Sequence, residues 1–171
     1  MFWFRLPFHI NASYYFAAIA LALVTLVELR VCKLEWSKCI ATALAGSYLF
    51  LLLSITVFSR RHTDVDFNIL PPFWAYREIV INEVRRNELI AQVLMNLLIL
   101  APLGFLLPFI TEKYSIWIGI GCSVMIELIQ LVTKRGYFEI DDIIHNTIGI
   151  LIGYSIYKLF RKITSGRTDS C

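Results

Sequence analysis

Long apolar runs alternate with short polar breaks along this chain. The first run extends over about 11–29, and the second over about 39–58 (CIATALAGSYLFLLLSITVF). The third covers about 89–110, the fourth about 115–133 and the fifth about 142–160. A membrane-spanning helix needs about 20 mostly apolar residues, and each run reaches or approaches that length. In hydrocarbon every backbone N–H and C=O needs a partner inside its own segment, so helices are the expected spanning form. Alternating strand patterns of the barrel type do not occur. The pattern predicts an all-α, polytopic membrane helix bundle of about five spans, with 1–171 as a single membrane domain. One connection is long: SRRHTDVDFNILPPFWAYREIVINEVRRNE, residues 59–88. Pro71 and Pro72 break it. After them Phe73, Tyr76, Val80 and Val84 recur at helical spacing, which predicts a short helix lying on the membrane surface.

Composition agrees with the pattern. Of 171 residues 58% are hydrophobic and only 17% are charged, and mean hydropathy is +0.67. A soluble domain carries about a quarter charged residues. The net charge of +3 is too small to suggest a nucleic-acid partner. Three scattered histidines and the lack of a Cys-x-x-Cys pair give no zinc-ligand spacing, and nothing in the chain points to a metal or a cofactor. The four cysteines make no disulfide framework. The opening MFWFRLPFHINAS is interrupted by Arg5, Pro7, His9 and Asn11, so it reads as an aromatic lead-in to an uncleaved span rather than a signal peptide.

Five spans put the termini on opposite sides. The positive-inside rule gives a tie, eight Lys or Arg against eight. The run KLFRKITSGR after the last span favours an outer amino terminus and a cytoplasmic carboxyl terminus.

Polar residues break the apolar runs near one end of the bundle, whichever way it faces. Gln92 and Asn96 lie four apart near the start of the third span. Glu127 and Gln130 lie three apart near the end of the fourth. The fifth starts FEIDDIIHNTIGILIG, where Asp142, Asn146, Gly149 and Gly153 form one helical stripe. Alternation of spans brings all three sets into the same half of the bilayer, beside Arg60, Arg61, Lys134 and Arg135. A carboxylate at mid-membrane costs about 2.5–3.5 kcal/mol, so Glu127 is expected to face the interior with a partner, for which Arg135 or Lys134 is placed. Plainer roles stand beside these. Asp141 suits the N-cap of the last helix, and Asn96 suits interhelical hydrogen bonding. Gln130 suits an interfacial position, and His145 a satisfied polar neighbour. Gly149-x-x-x-Gly153 suits close helix packing, and Pro102 with Gly104 a bend in the third span.

These motifs, taken in order, resemble the VanZ family. SITVFSR resembles the family's span ending in arginine, at Arg60, and FNILPPF its Asn-Leu-Ile-Pro-Phe segment. NLLILAPLGFLLP resembles the Asn-x(5)-Pro-x-Gly-Phe-Leu-x-Pro signature, placing Asn96, Pro102, Gly104 and Pro108. SVMIELIQLVTKRGYFEIDDIIHNTIGILIGY resembles the Ser-x(3)-Glu-x-x-Gln, Arg and Asp-Asp-x(3)-Asn-x-x-Gly core. That places Ser123, Glu127, Gln130, Arg135, Asp141, Asp142, Asn146, Gly149 and Gly153. Glu139 stands where the family often has Asp, and His145 replaces a commonly apolar residue. The resemblance covers about 45–157. It implies a multi-pass protein of the bacterial cell membrane, associated with resistance to teicoplanin and related lipoglycopeptides.

Three functions follow for the polar cluster. In the first, Arg60, Asn96, Glu127, Gln130, Arg135, Asp141, Asp142 and Asn146 bind membrane lipids: a lipid-linked wall precursor or an amphiphilic lipoglycopeptide. Arginine would pair its phosphate or carboxylate, and the bundle cleft would take its acyl or polyprenyl chain. In the second, Glu127 or Asp142 is a general acid or base acting on a polyprenyl-phosphate lipid, with magnesium held through oxygens. No recognisable nucleophile constellation supports that one. The third is a small transporter or an assembly subunit, against which the lack of an internal repeat weighs.

Overall fold

A computed structural model describes residues 12–58 and 69–165. Arg60, Arg61 and the amino-terminal lead-in lie outside the described residues. Five stretches are long and apolar enough to cross a membrane, and each matches a predicted run within a few residues. They are α1 (Ala12–Val31), α2 (Trp36–Leu53, continued by a wider π turn over Ser54–Phe58), the pair α4 (Arg86–Ile99) and α5 (Ala101–Ile110), α6 (Ser115–Val132) and α7 (Ile140–Ser165). The chain is an all-α membrane bundle.

The third span is two helices because of its prolines. Pro102 enters the first turn of α5, where its missing N–H is harmless, but it cannot continue the ladder of α4. The break at Leu100 frees the Ile99 carbonyl, and the Tyr48 hydroxyl of α2 donates to it at 2.6 Å. This break is also where α7 crosses most closely. A Cβ on Gly149 would overlap the Leu97 carbonyl, one on Gly153 the Ala101 carbonyl, and one on Gly104 the Ile150 carbonyl. Glycine is needed at these three positions because backbone touches backbone there. Around the crossing lies the apolar core of Ala45, Leu52, Leu100, Leu103, Leu107, Ile126 and Ile150. In contrast, α1 buries only Ala18 among its described residues and turns Phe16, Leu23 and Val27 outward.

The long connection does form a helix, but one shorter than its periodicity suggested. It is α3 (Trp74–Ile81). Val84 lies beyond it in a turn, 91% exposed, because the chain must reverse before α4 begins. A second difference is a two-residue parallel ladder. Strand β1 (Ile69–Leu70) pairs with β2 (Phe138–Glu139), Ile69 opposite Phe138 and Leu70 opposite Glu139. Segments this short carry no alternation from which a strand could be read. The ladder joins the long loop to the entry of α7.

At the end of the bundle away from the ladder, Lys158 and Arg161 of α7 both bind Glu112, in the turn between α5 and α6.

Candidate functional site

Helix α6 presents Ser123, Glu127 and Gln130 at spacings of four and three, and all three are buried. Helix α7 presents Asp142, half-buried, and Asn146, buried, four apart. Helix α4 brings Asn96 from the other side. The Asn96 amide donates to Asp142 Oδ1 at 2.5 Å. Asn146 Nδ2 donates to Ser123 Oγ at 3.1 Å, leaving Asn146 Oδ1 buried with no partner. The Glu127 carboxylate, 2% exposed, accepts the backbone N–H of Glu139 at 3.1 Å. A small cavity of about 30 Å³ is lined by Thr56, Asn96, Glu127, Gln130, Asp142 and Asn146, with Leu52, Ile99, Leu100 and Ile126 closing its apolar side. That volume holds about one or two water molecules. It does not hold an acyl chain, so a chain of that kind would have to lie outside the nest.

Gln130, in the last turn of α6, faces into the bundle. It is 3% exposed and donates from Nε2 to the Thr56 carbonyl at 3.4 Å. Arg135 is placed differently from expectation too. Helix α6 ends in a Schellman turn, with Lys134 in the left-handed region (φ 52) and the Arg135 N–H returning to the Gln130 carbonyl. The turn sends the guanidinium across to the π turn of α2, where it donates to the carbonyls of Val57 (3.2 Å) and Phe58 (2.9 Å). The last carbonyls of a helix have no partner within it, and Arg135 supplies one. Its bonds are made there rather than to Glu127.

Asp141 does not cap α7. The ladder carries the chain straight into the helix at Ile140, so Asp141 falls inside the first turn. It accepts instead from the Phe73 N–H, at 2.7 Å. Phe73 precedes α3 and sits in the left-handed region at φ 64, a costly conformation for a bulky residue that its surroundings must hold in place. Two further bonds tie α3 to β2 and α7: Trp74 Nε1 donates to Glu139 Oε2 of β2 at 2.9 Å, and the Tyr76 hydroxyl meets His145 Nε2 of α7 at 2.5 Å. Sequence reasoning gave Glu139, Trp74 and Tyr76 no such partners. Each bond links positions more than 60 residues apart, and no local spacing announces it.

Among the described residues no three His, Cys, Asp or Glu side chains gather as metal ligands do. The nest is made of amides, carboxylates and a hydroxyl, groups that can donate and accept hydrogen bonds. The family model described as VanZ/LLP1 matches residues 40–161. The chain belongs to the VanZ/LLP1 family. Every residue of the nest lies within that match. Neither the curated proteins nor the solved structures searched contain a match to this chain.

Proposed function

We propose that this VanZ/LLP1 protein protects the bacterial cell envelope against teicoplanin-type lipoglycopeptides by binding a lipid-linked wall precursor. The polar head of the ligand enters the nest of Asn96, Glu127, Gln130, Asp142 and Asn146, and the chain faces outward at that end, with its carboxyl terminus cytoplasmic. The observation that carries the reading is the convergence of five polar side chains from three helices, three of them buried and two half-buried, around one small cavity. Burying polar groups in hydrocarbon is costly, and simple packing does not need so many at one depth. The unpartnered Asn146 Oδ1 is an acceptor aimed at a donor, which a sugar hydroxyl or an amide N–H supplies. Arg77, exposed on α3, suits the phosphates that follow the head group. Because the cavity admits only a few atoms, recognition is of the head and not of the lipid tail.

The test is teicoplanin susceptibility of cells producing wild-type protein or Glu127→Gln, matched for membrane abundance. Protection by the wild type and its loss in the variant are expected. Equal protection by both removes the nest from the mechanism. Binding of the drug itself to purified protein, unaffected by added precursor, would point to the drug as ligand instead.

A further inference from the structure

A second site lies at the end of the bundle away from the nest. Helix α2 runs toward the nest at Leu52 and α6 toward it at Gln130, so the α1–α2 and α5–α6 turns share the far end. Two carboxylates there are already matched. Glu35 pairs with Lys38 at 3.6 Å, and Glu112 with Lys158 and Arg161. A third, Glu28, is exposed on α1. Among the described residues no carboxylate pairs with Arg30, Lys33, Lys113 or Lys162.

Arg30 is held in a fixed place. Helix α1 ends in a Schellman turn, with the Leu34 N–H returning to the Leu29 carbonyl and the Lys33 N–H to that of Arg30. Arg30 Nη1 donates to the Leu34 carbonyl at 2.6 Å. Its Cζ lies 4.2 Å from the centre of the Trp36 ring, a cation–π contact. That single hydrogen bond leaves other N–H donors of the guanidinium open. Leu26, Val27, Arg30 and Val31 share one face of α1. With Trp36 they line a shallow groove of about 390 Å³, against about 30 Å³ for the nest. Arg30 is in the last turn of α1 and Trp36 opens α2. Cation and indole therefore sit at head-group depth, where tryptophan is favoured, and Leu26 and Val27 lie deeper along the span.

We infer that this groove binds an anionic phospholipid, with its phosphate on Arg30 and an acyl chain along Leu26, Val27 and Val31. A guanidinium pairs phosphate oxygens through two parallel bonds, and basic pockets at the ends of spans suit lipid phosphates. The unpaired cations around the groove set the lipid class. They repel the ammonium of a zwitterionic head group and accept phosphatidylglycerol. The site is independent of the nest, with other residues in the other leaflet.

The test uses full-length protein in bilayers that mix phosphatidylglycerol with phosphatidylcholine, one lipid of the pair brominated in each run. Bromine quenches tryptophan at contact, and Trp36 is 58% exposed. Its share of the quenching is the difference between each protein and its Trp36→Phe counterpart. One basic side chain near the surface is worth about fivefold in lipid preference, so Trp36 should report phosphatidylglycerol favoured by at least that factor. Arg30→Gln should bring the ratio toward parity. Lys162→Gln removes the same charge from the same end but does not line the groove, and should leave the ratio as in the wild type. No preference in the wild type overturns the inference. So does an equal loss in Arg30→Gln and Lys162→Gln, which would mean a diffuse field rather than a site. Relief of the quenching by free glycerol phosphate also overturns it, since the groove would then take the head group without the lipid.

Discussion

At the scale of single residues, helical spacing was enough to bring Asn96, Glu127, Gln130, Asp142 and Asn146 to one depth, because it needs only the periodicity of α-helices and the alternation of spans. Their partners were less legible. Arg135 and Asp141 carry charges that could serve several neighbours, and a Schellman turn and a two-residue ladder decide between them. Asn146 gives a direct test of the nest as structure. Asn146→Leu leaves the buried Ser123 hydroxyl without its donor, and an unsatisfied buried polar group costs about 1–3 kcal/mol. Thermal unfolding in detergent should show that loss; an unchanged midpoint would mean that the Ser123 hydroxyl is satisfied elsewhere. Glu112, at the opposite end, gives a pH dependence. The hydrogen bond from Lys158, helped by the charges of Lys158 and Arg161, holds its carboxyl below the ordinary value of 4.5. A carboxyl depressed on folding stabilises the folded state above its unfolded pKa, and that contribution is lost as pH falls through the lower folded value. Hydrogen exchange in the turn at 111–114 should therefore stay flat from neutral pH to about 4.5 and rise in stronger acid, beyond the intrinsic change, with the rise absent in Glu112→Gln.

At the scale of elements, the spans were plain from hydropathy, and the break in the third from Pro102. What hydropathy does not contain is which helices touch. The glycines of α7 hold that information, since Gly149 and Gly153 abut the carbonyls of Leu97 and Ala101. Gly153→Ala forces these backbones apart, and an overpacked contact of this kind costs about 1–3 kcal/mol. Gly46→Ala is the matched control. Nothing lies within 4 Å of a Cβ there, and alanine is the better helix former by about 1 kcal/mol. The expected outcome is a lower unfolding temperature for the first variant and an equal or higher one for the second. Matching losses in both would mean that α7 does not cross α4 and α5 at these glycines. Helix α3 was visible in its aromatic and β-branched periodicity, but its tether to β2 and α7 was not, because all three bonds span distant parts of the sequence.

For the whole molecule, five spans and membership of the VanZ/LLP1 family fix the class of protein, while the tied count of basic residues does not orient it. The proposed function requires the nest to face outward. A single cysteine in the turn before α4, at Val84 in an otherwise cysteine-free protein, should react with a membrane-impermeant maleimide on intact cells; reaction only after lysis would invert the topology. The central claim is that the nest receives the head of a lipid-linked precursor, and binding measures it most directly. Native mass spectrometry of the purified protein with a polyprenyl-diphosphate-linked sugar should show one lipid retained per chain, with phosphatidylcholine failing to displace it. Glu127→Gln combined with Asn96→Leu should weaken retention at least about tenfold, or 1.4 kcal/mol. Equal retention by wild type and double variant, or no preference of the wild type over phosphatidylcholine, would contradict the account.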